Sequence, residues 1–162
     1  MTQNIAQSKD DLPGKTALQS RSGLEFMHDV CDGRVSTAPI CTTLNFDVAH
    51  VEDGCVHVEG EPEFNSANIM GAVHGGWYGA IMDHCLGCAV MTKIPRGSFY
   101  TTLEYKVNIT RAIPPGTRVR AVGKISHAGR TTAVATGEIR GIDDDRLYAT
   151  GSTTCLIMKI SG

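Results

Sequence analysis

The triplet His74-Gly75-Gly76 opens a largely apolar segment, HGGWYGAIMDHCLGCAVM, that runs over residues 74–91. Its length and lack of alternation predict a helix, despite four glycines. The first N–H groups of a helix have no partners within it, and two glycines leave them open to an approaching anion. With the helix dipole behind them, such donors can also hold charge developing on a carbonyl oxygen; a glycine-rich entry turn capped by His74 is the plainer alternative. Further along lies Asp83, the segment's one acid, with no Lys or Arg from 74 to 91. A carboxylate in apolar surroundings is poorly solvated, tends to a raised pKa, and suits a general base or nucleophile. A satisfying hydrogen bond or ion pair, for instance with the adjacent His84, is the bland alternative.

Helix geometry sharpens this. Gly75 and Asp83 are eight residues apart, about 12 Å along the axis and about 80° around it. One small reacting group cannot touch both in a single chain. If they share a site, they come from two copies of the helix across a dimer interface.

The rest of the chain supplies the frame. Leu24, Phe26, Met27 and Val30 recur at helical spacing over residues 22–30, with Gly33 placed to end that helix. Residues 42–52 alternate approximately, Asp53-Gly54 marks a turn, and Val56 and Val58 continue a return strand to about residue 60. An irregular stretch, 61–73, leads into the central helix. Over 99–110, Leu103, Tyr105, Val107 and Ile109 alternate with Thr102, Glu104, Lys106, Asn108 and Thr110, which predicts opposite faces of a strand for the two sets. Three further strands, at about 118–127, 132–142 and 146–158, are separated by His127-Ala128-Gly129-Arg130 and Asp143-Asp144-Asp145. Gly123, Gly137 and Gly151 fall one per strand, and hairpins about Arg130 and Asp144 would set them side by side. A row of strand glycines implies a close-approaching backbone, here a groove for the glycine-bearing helix with Gly79 and Gly87. The fold class is α+β, one long antiparallel sheet wrapped around one buried helix. Residues 19–162 form a single domain, and the polar residues 1–18 read as a flexible N-terminal arm.

Composition excludes other classes. The chain has 162 residues, 15 basic and 17 acidic, a net charge of -2 and 41 % hydrophobic residues. That is globular and has no basic excess for nucleic acid. No signal pattern or membrane-length apolar run is evident, so a cytoplasmic protein is expected, without membrane or nucleic-acid partners. Six cysteines in that setting are expected to be free, mostly buried hydrophobes. The pair Cys85-Leu86-Gly87-Cys88 sits inside the apolar run with no second ligand pair to complete a zinc site, and no metal is expected.

The series Asn68-x-x-Gly71-x-x-His74-Gly75-Gly76, then Asp83 in the helix and the strand near Thr102, resembles the hotdog-fold acyl-CoA thioesterases of the PaaI-like (phenylacetic-acid-degradation) family. The likeness spans about residues 22–158. It implies hydrolysis of an acyl-CoA thioester at a homodimer interface, in a dimer of dimers, with no cofactor beyond the coenzyme A of the substrate. It further implies Gly75 N–H as oxyanion donor, His74 shaping the turn, and Asn68 on the carbonyl or hydrolytic water. Asp83 of the opposite subunit would be nucleophile or base, supported by Thr102. Gly76, Gly129 and Arg130 would contact the substrate, Arg130 through a coenzyme A phosphate. Two competitors remain: an acyl-CoA hydratase or dehydratase on this fold, and a non-catalytic acyl-CoA-binding protein. Trp77 and Tyr78 are candidates for the acyl pocket or for plain core packing.

Overall fold

Ser22 starts the first helix. Its hydroxyl accepts the Glu25 N–H, and the Glu25 carboxylate reaches back to the Ser22 N–H, a reciprocal cap. Helix α1 (Gly23–Cys31) follows. A short helix α2 (Pro39–Leu44) comes next, where the sequence reading began a strand at 42. Pro39 presets the first turn, and Asn45 ends it in the left-handed region at φ 53°. Strand β1 (Phe46–Glu52) and β2 (Cys55–Gly60) then form the expected hairpin about Gly54, whose φ is 81°. The chain continues as α3 (Gly75–Met91), β3 (Ser98–Ile109), β4 (Val119–Ala128), β5 (Thr132–Gly141) and β6 (Leu147–Lys159). This computed structural model describes residues 4–160; residues 1–3 of the expected arm and the terminal 161–162 of the expected domain lie outside the described residues.

The six strands form one antiparallel sheet in the order β1-β2-β4-β5-β6-β3, wrapped around α3 as in a hotdog fold. Val56, Val58, Ala121, Ala133, Ala135 and Ile139 are fully buried on the sheet side, and Ile81, Met82, Cys85, Leu86, Ala89 and Val90 on the helix side. The glycine row is present: Gly123 pairs with Gly137, and Gly137 with Gly151. A Cβ on Gly123 would stand 2.9 Å from the Cys85 carbonyl oxygen, on Gly137 2.9 Å from Leu86 Cδ2, and on Gly151 2.8 Å from Met82 Cγ. The missing side chains are therefore what let α3 lie this close. Gly79 and Gly87 play no part in that contact; they turn toward β3.

Strand β3 departs from simple alternation. Thr102 pairs with Cys155 and Glu104 with Thr154, which leaves Leu103 as an extra residue in a bulge. One inserted residue reverses which side of the strand the following residues face. Thr102 and Tyr105, expected on opposite faces, consequently both face α3.

The expected loose arm is instead laid along the domain. Thr37 N–H bonds to the Asn4 carbonyl, Ser36 Oγ to the Asp11 carbonyl, and Gly97 N–H to the Leu18 carbonyl, while Ala6 and Leu18 are buried. A few anchoring apolar residues and three bonds from distant segments outweigh the polar composition that predicted solvation.

Candidate active site

Four residues of α3, each about one turn after the last, form the stripe facing β3: Gly75, Gly79, Asp83 and Gly87. Strand β3 passes them in the opposite direction. Ile109 Cδ1 lies 3.7 Å from the place of a Gly75 Cβ, the Tyr105 hydroxyl 3.2 Å from that of Gly79, and the Tyr100 hydroxyl closes over Gly87. Only Asp83 puts a functional group into this stripe. Thr102 Oγ1 donates to its Oδ1 at 3.2 Å. Asp83 is half-buried, and burial raises its pKa above the usual carboxylate range while the Thr102 hydrogen bond works against that shift.

His84 does not neutralise the acid. It is about 100° further around the helix, packed on the Phe46 ring, with the Cys41 and Cys88 sulfurs 3.6 Å and 3.7 Å from its Nε2. Burial lowers its pKa to about 4, so the ring is neutral near pH 7. Cys85 is likewise inert: its thiol donates to the Val56 carbonyl at 3.4 Å, and burial pushes its pKa up to about 12. Among the described residues, no group of three or more His, Cys, Asp or Glu could hold a metal ion, and no helix is long and apolar enough to cross a membrane.

At the head of α3 the two glycine amides differ. His74 is the N-cap, and its Nδ1 accepts the Gly76 N–H at 2.9 Å. The Gly76 amide is therefore engaged, contrary to a reading in which both glycines offer free donors. The Gly75 N–H has no hydrogen-bond partner among the described residues, and Gly75 is exposed. Asn68 shapes the approaching loop: its Oδ1 accepts from Met70 N–H at 2.9 Å and Ala72 N–H at 3.2 Å. The Ser66 carbonyl accepts the His74 N–H, tying that loop to the cap.

The residues singled out in the sequence thus occupy three places. Asp83 and Thr102 meet at mid-helix; Asn68, His74, Gly75 and Gly76 gather at the helix head. Gly129 and Arg130 lie elsewhere, in the β4–β5 turn, in a cleft of about 480 Å³ that Ser98, Thr131 and Lys159 also line. Trp77 and Tyr78 are 2 % exposed and belong to the core, bonded through Trp77 Nε1 to the Leu44 carbonyl and through the Tyr78 hydroxyl to Ile113 N–H. Sequence reasoning overlooked Tyr100 and Tyr105. The signal was available in the interval of four between Gly75, Gly79, Asp83 and Gly87, which leaves room on one helix face for large neighbours.

Comparison with known proteins bears on the fold and the family. Residues 70–148 match the sequence family described as the thioesterase superfamily. A conserved protein of Pseudomonas aeruginosa is 30 % identical, with a TM-score of 0.70, over 75 % of this chain and 95 % of its own. A mutant of the phenylacetic acid degradation protein PaaI of Thermus thermophilus is 25 % identical, with a TM-score of 0.67, over 73 % of this chain and 97 % of its own. A hypothetical thioesterase protein with coenzyme A, from Streptococcus pneumoniae, shares the fold at 24 % identity and a TM-score of 0.65, over 73 % of this chain and 89 % of its own. No functionally curated protein is significantly similar in sequence. A relative matched along nearly its whole length, the family pattern on residues 70–148 and the helix-in-sheet architecture together make this chain a member of the thioesterase superfamily, with its hotdog fold.

Proposed function

We propose that the protein hydrolyses acyl-CoA thioesters to the free acid and coenzyme A, in the cytoplasm, as a homodimer or a dimer of such dimers. The observation that carries this reading is the placement of Asp83: the one charge on a buried helix, held by a single hydroxyl, on the face turned to an edge strand. Among the described residues strand β3 ends the sheet with no partner on its outer edge. Along it Leu103, in the bulge, is 59 % exposed, and Tyr105 and Ile109, on the helix side, are each 48 % exposed. An exposed apolar edge of this kind is suited to pairing with a second copy. Such pairing would bring the Gly75 amide of one protomer toward Asp83 of the other, which the roughly 12 Å between them forbids within one chain.

In the proposed reaction the Gly75 N–H binds the thioester carbonyl oxygen and stabilises the negative charge that grows on it. His74 holds the turn by accepting the Gly76 N–H, and Asn68 keeps the preceding loop in shape while its amide end faces the carbonyl or the water. The Asp83 carboxylate either attacks the carbonyl carbon or removes a proton from the attacking water, and Thr102 orients it. The C–S bond then breaks. In the base route the proton taken by Asp83 passes to the leaving sulfur, and water's oxygen stays in the free acid. In the nucleophile route coenzyme A leaves from an acyl-Asp83 anhydride that water then cleaves, giving the free acid, restoring the carboxylate and supplying the thiol's proton. Arg130 and Lys159 offer positive charge to the coenzyme's phosphates, with Gly129 allowing close approach in the turn. No group beyond the substrate's own coenzyme A is needed for these steps. Free thiols throughout are compatible with a reducing compartment.

The test is subunit complementation. Asp83→Ala and Gly75→Val protomers, each inactive alone, are mixed and the heterodimers isolated. Thiol release from acyl-CoA should recover toward the one intact site that each mixed dimer contains. Verified heterodimers with no activity above either parent would overturn the shared-site assignment.

A further inference from the structure

On the side of α3 that carries His84 and Cys88, and bounded by Tyr100, lies an apolar cavity of about 290 Å³ that none of the roles above uses. Phe26 and Val30 of α1 form one wall, His84 and Cys88 of α3 the floor, and Tyr100 of β3 another side. Tyr100 also covers Gly87, one turn after Asp83, so the β3 side of the cavity lies one helical turn along from the acid. The lining is apolar or uncharged: His84 is neutral for the burial reason given above, and the Cys88 thiol is buried. Leu12 and Pro13 close the outer side. They belong to the arm and lie between the Asp11 carbonyl, bound by Ser36 Oγ, and the Leu18 carbonyl, bound by Gly97 N–H. The arm therefore crosses the cavity as a strap fastened at both sides. It lies outside the family match, which begins at residue 70.

We propose that this cavity receives the apolar acyl group of the thioester and that Leu12-Pro13 set its maximum size. The proposal rests on the thioesterase reading for the identity of the occupant. Its position one helical turn from Asp83, with Tyr100 next to Thr102 on the same face of β3, favours an acyl group over any other apolar guest. A thioester whose carbonyl is at the acid extends its acyl chain over about that distance. At about 30 Å³ for each water-sized group, the cavity holds on the order of ten non-hydrogen atoms. Octanoyl and phenylacetyl groups fit; a hexadecanoyl chain does not unless the strap is displaced. Few ligand pockets are smaller, which suits one group of this size.

The experiment is a chain-length series. Turnover of acetyl-, butanoyl-, hexanoyl- and octanoyl-CoA is measured as kcat/KM, with a gain of about fourfold for each methylene buried. Leu12→Trp, a change at a position 41 % exposed whose folded state is checked by its melting transition, fills the cavity from the strap and should lower the octanoyl-to-acetyl ratio at least tenfold. Asp10→Ala, exposed on the same arm and away from the cavity, should leave the ratio unchanged. In parallel, binding of free octanoate is followed by ligand-observed NMR, and Leu12→Trp should abolish it. A ratio unmoved by Leu12→Trp in an active protein overturns the cavity assignment and leaves the thioesterase reading intact. Octanoate binding that Leu12→Trp removes, in a protein inert toward every acyl-CoA, supports the cavity and overturns the thioesterase reading. Octanoate that does not bind, or binds equally to both proteins, overturns the cavity assignment.

Discussion

Gly123→Ala tests the seat of the central helix. The new Cβ would stand 2.9 Å from the carbonyl oxygen of Cys85 and 3.1 Å from its Sγ. A carbon meets a carbonyl oxygen comfortably at about 3.3–3.6 Å, so α3 must lift by about 0.5 Å or the strand must bow. The obstacle is helix backbone, which no rotamer change can move aside. Overpacking of this kind costs about 1–3 kcal/mol, offset in part by the ~0.4–1 kcal/mol that alanine contributes by stiffening the unfolded chain. A net loss of about 1–2 kcal/mol lowers Tm by about 2–8 °C for a chain of this length. The same lift carries Asp83 with it. A misplacement of 1 Å can reduce turnover on the order of a hundredfold, so half that distance should reduce it about tenfold. Scanning calorimetry reads the first effect and thiol release from acyl-CoA the second. A variant as stable and as active as its parent would show that the helix does not bear on this row, and the packing account would fail.

Two further outcomes follow from the acid itself. Asp83 must be ionised to act, so kcat/KM should rise with pH through a value above the usual carboxylate range. Thr102→Val removes the bond that holds this value down, and should shift the acid limb to higher pH and reduce turnover about tenfold; an unmoved pH profile would separate Thr102 from the reaction. Because the folded state holds the Asp83 proton more tightly than the unfolded chain, its contribution to stability is full below the ordinary carboxylate pKa and is lost as pH rises through the raised one. Asp83→Asn should accordingly raise Tm at pH 8 more than at pH 4 while abolishing turnover, and a lower Tm at pH 8 would contradict the burial account.

What the sequence made visible, and what it hid, has a physical pattern. The glycine row could be read because hairpin pairing is arithmetic: equal spacing about two turns forces Gly123, Gly137 and Gly151 into register. Asp83 stood out because a solitary charge in an apolar helix always needs a reason. The bulge at Leu103 could not be read, since the residue itself fits a strand and only its partners on β6 reveal that it is unpaired. Without it, Thr102 was assigned to the face opposite Tyr105. The docking of residues 4–18 was hidden for a similar reason, because its bonds are made to Ser36, Thr37 and Gly97 rather than to neighbours in sequence. A capping role for His74 was legible as an alternative in the sequence, but that it takes the Gly76 amide and leaves the Gly75 amide free turns on a single rotamer, which composition does not specify.

The bulge also constrains how this strand can be altered. Upstream of Leu103 the odd-numbered side chains point away from the helix, and downstream they point toward it, so the two halves keep different parity. A regular strand grafted here residue for residue could satisfy the tyrosine at 105 or the threonine at 102, never both. Deleting one position would flip the whole outer half, turning its lysine and glutamate inward and its oily edge outward. Redesign of the edge for a new partner, or swapping of this segment between relatives, must therefore carry the surplus residue along with it.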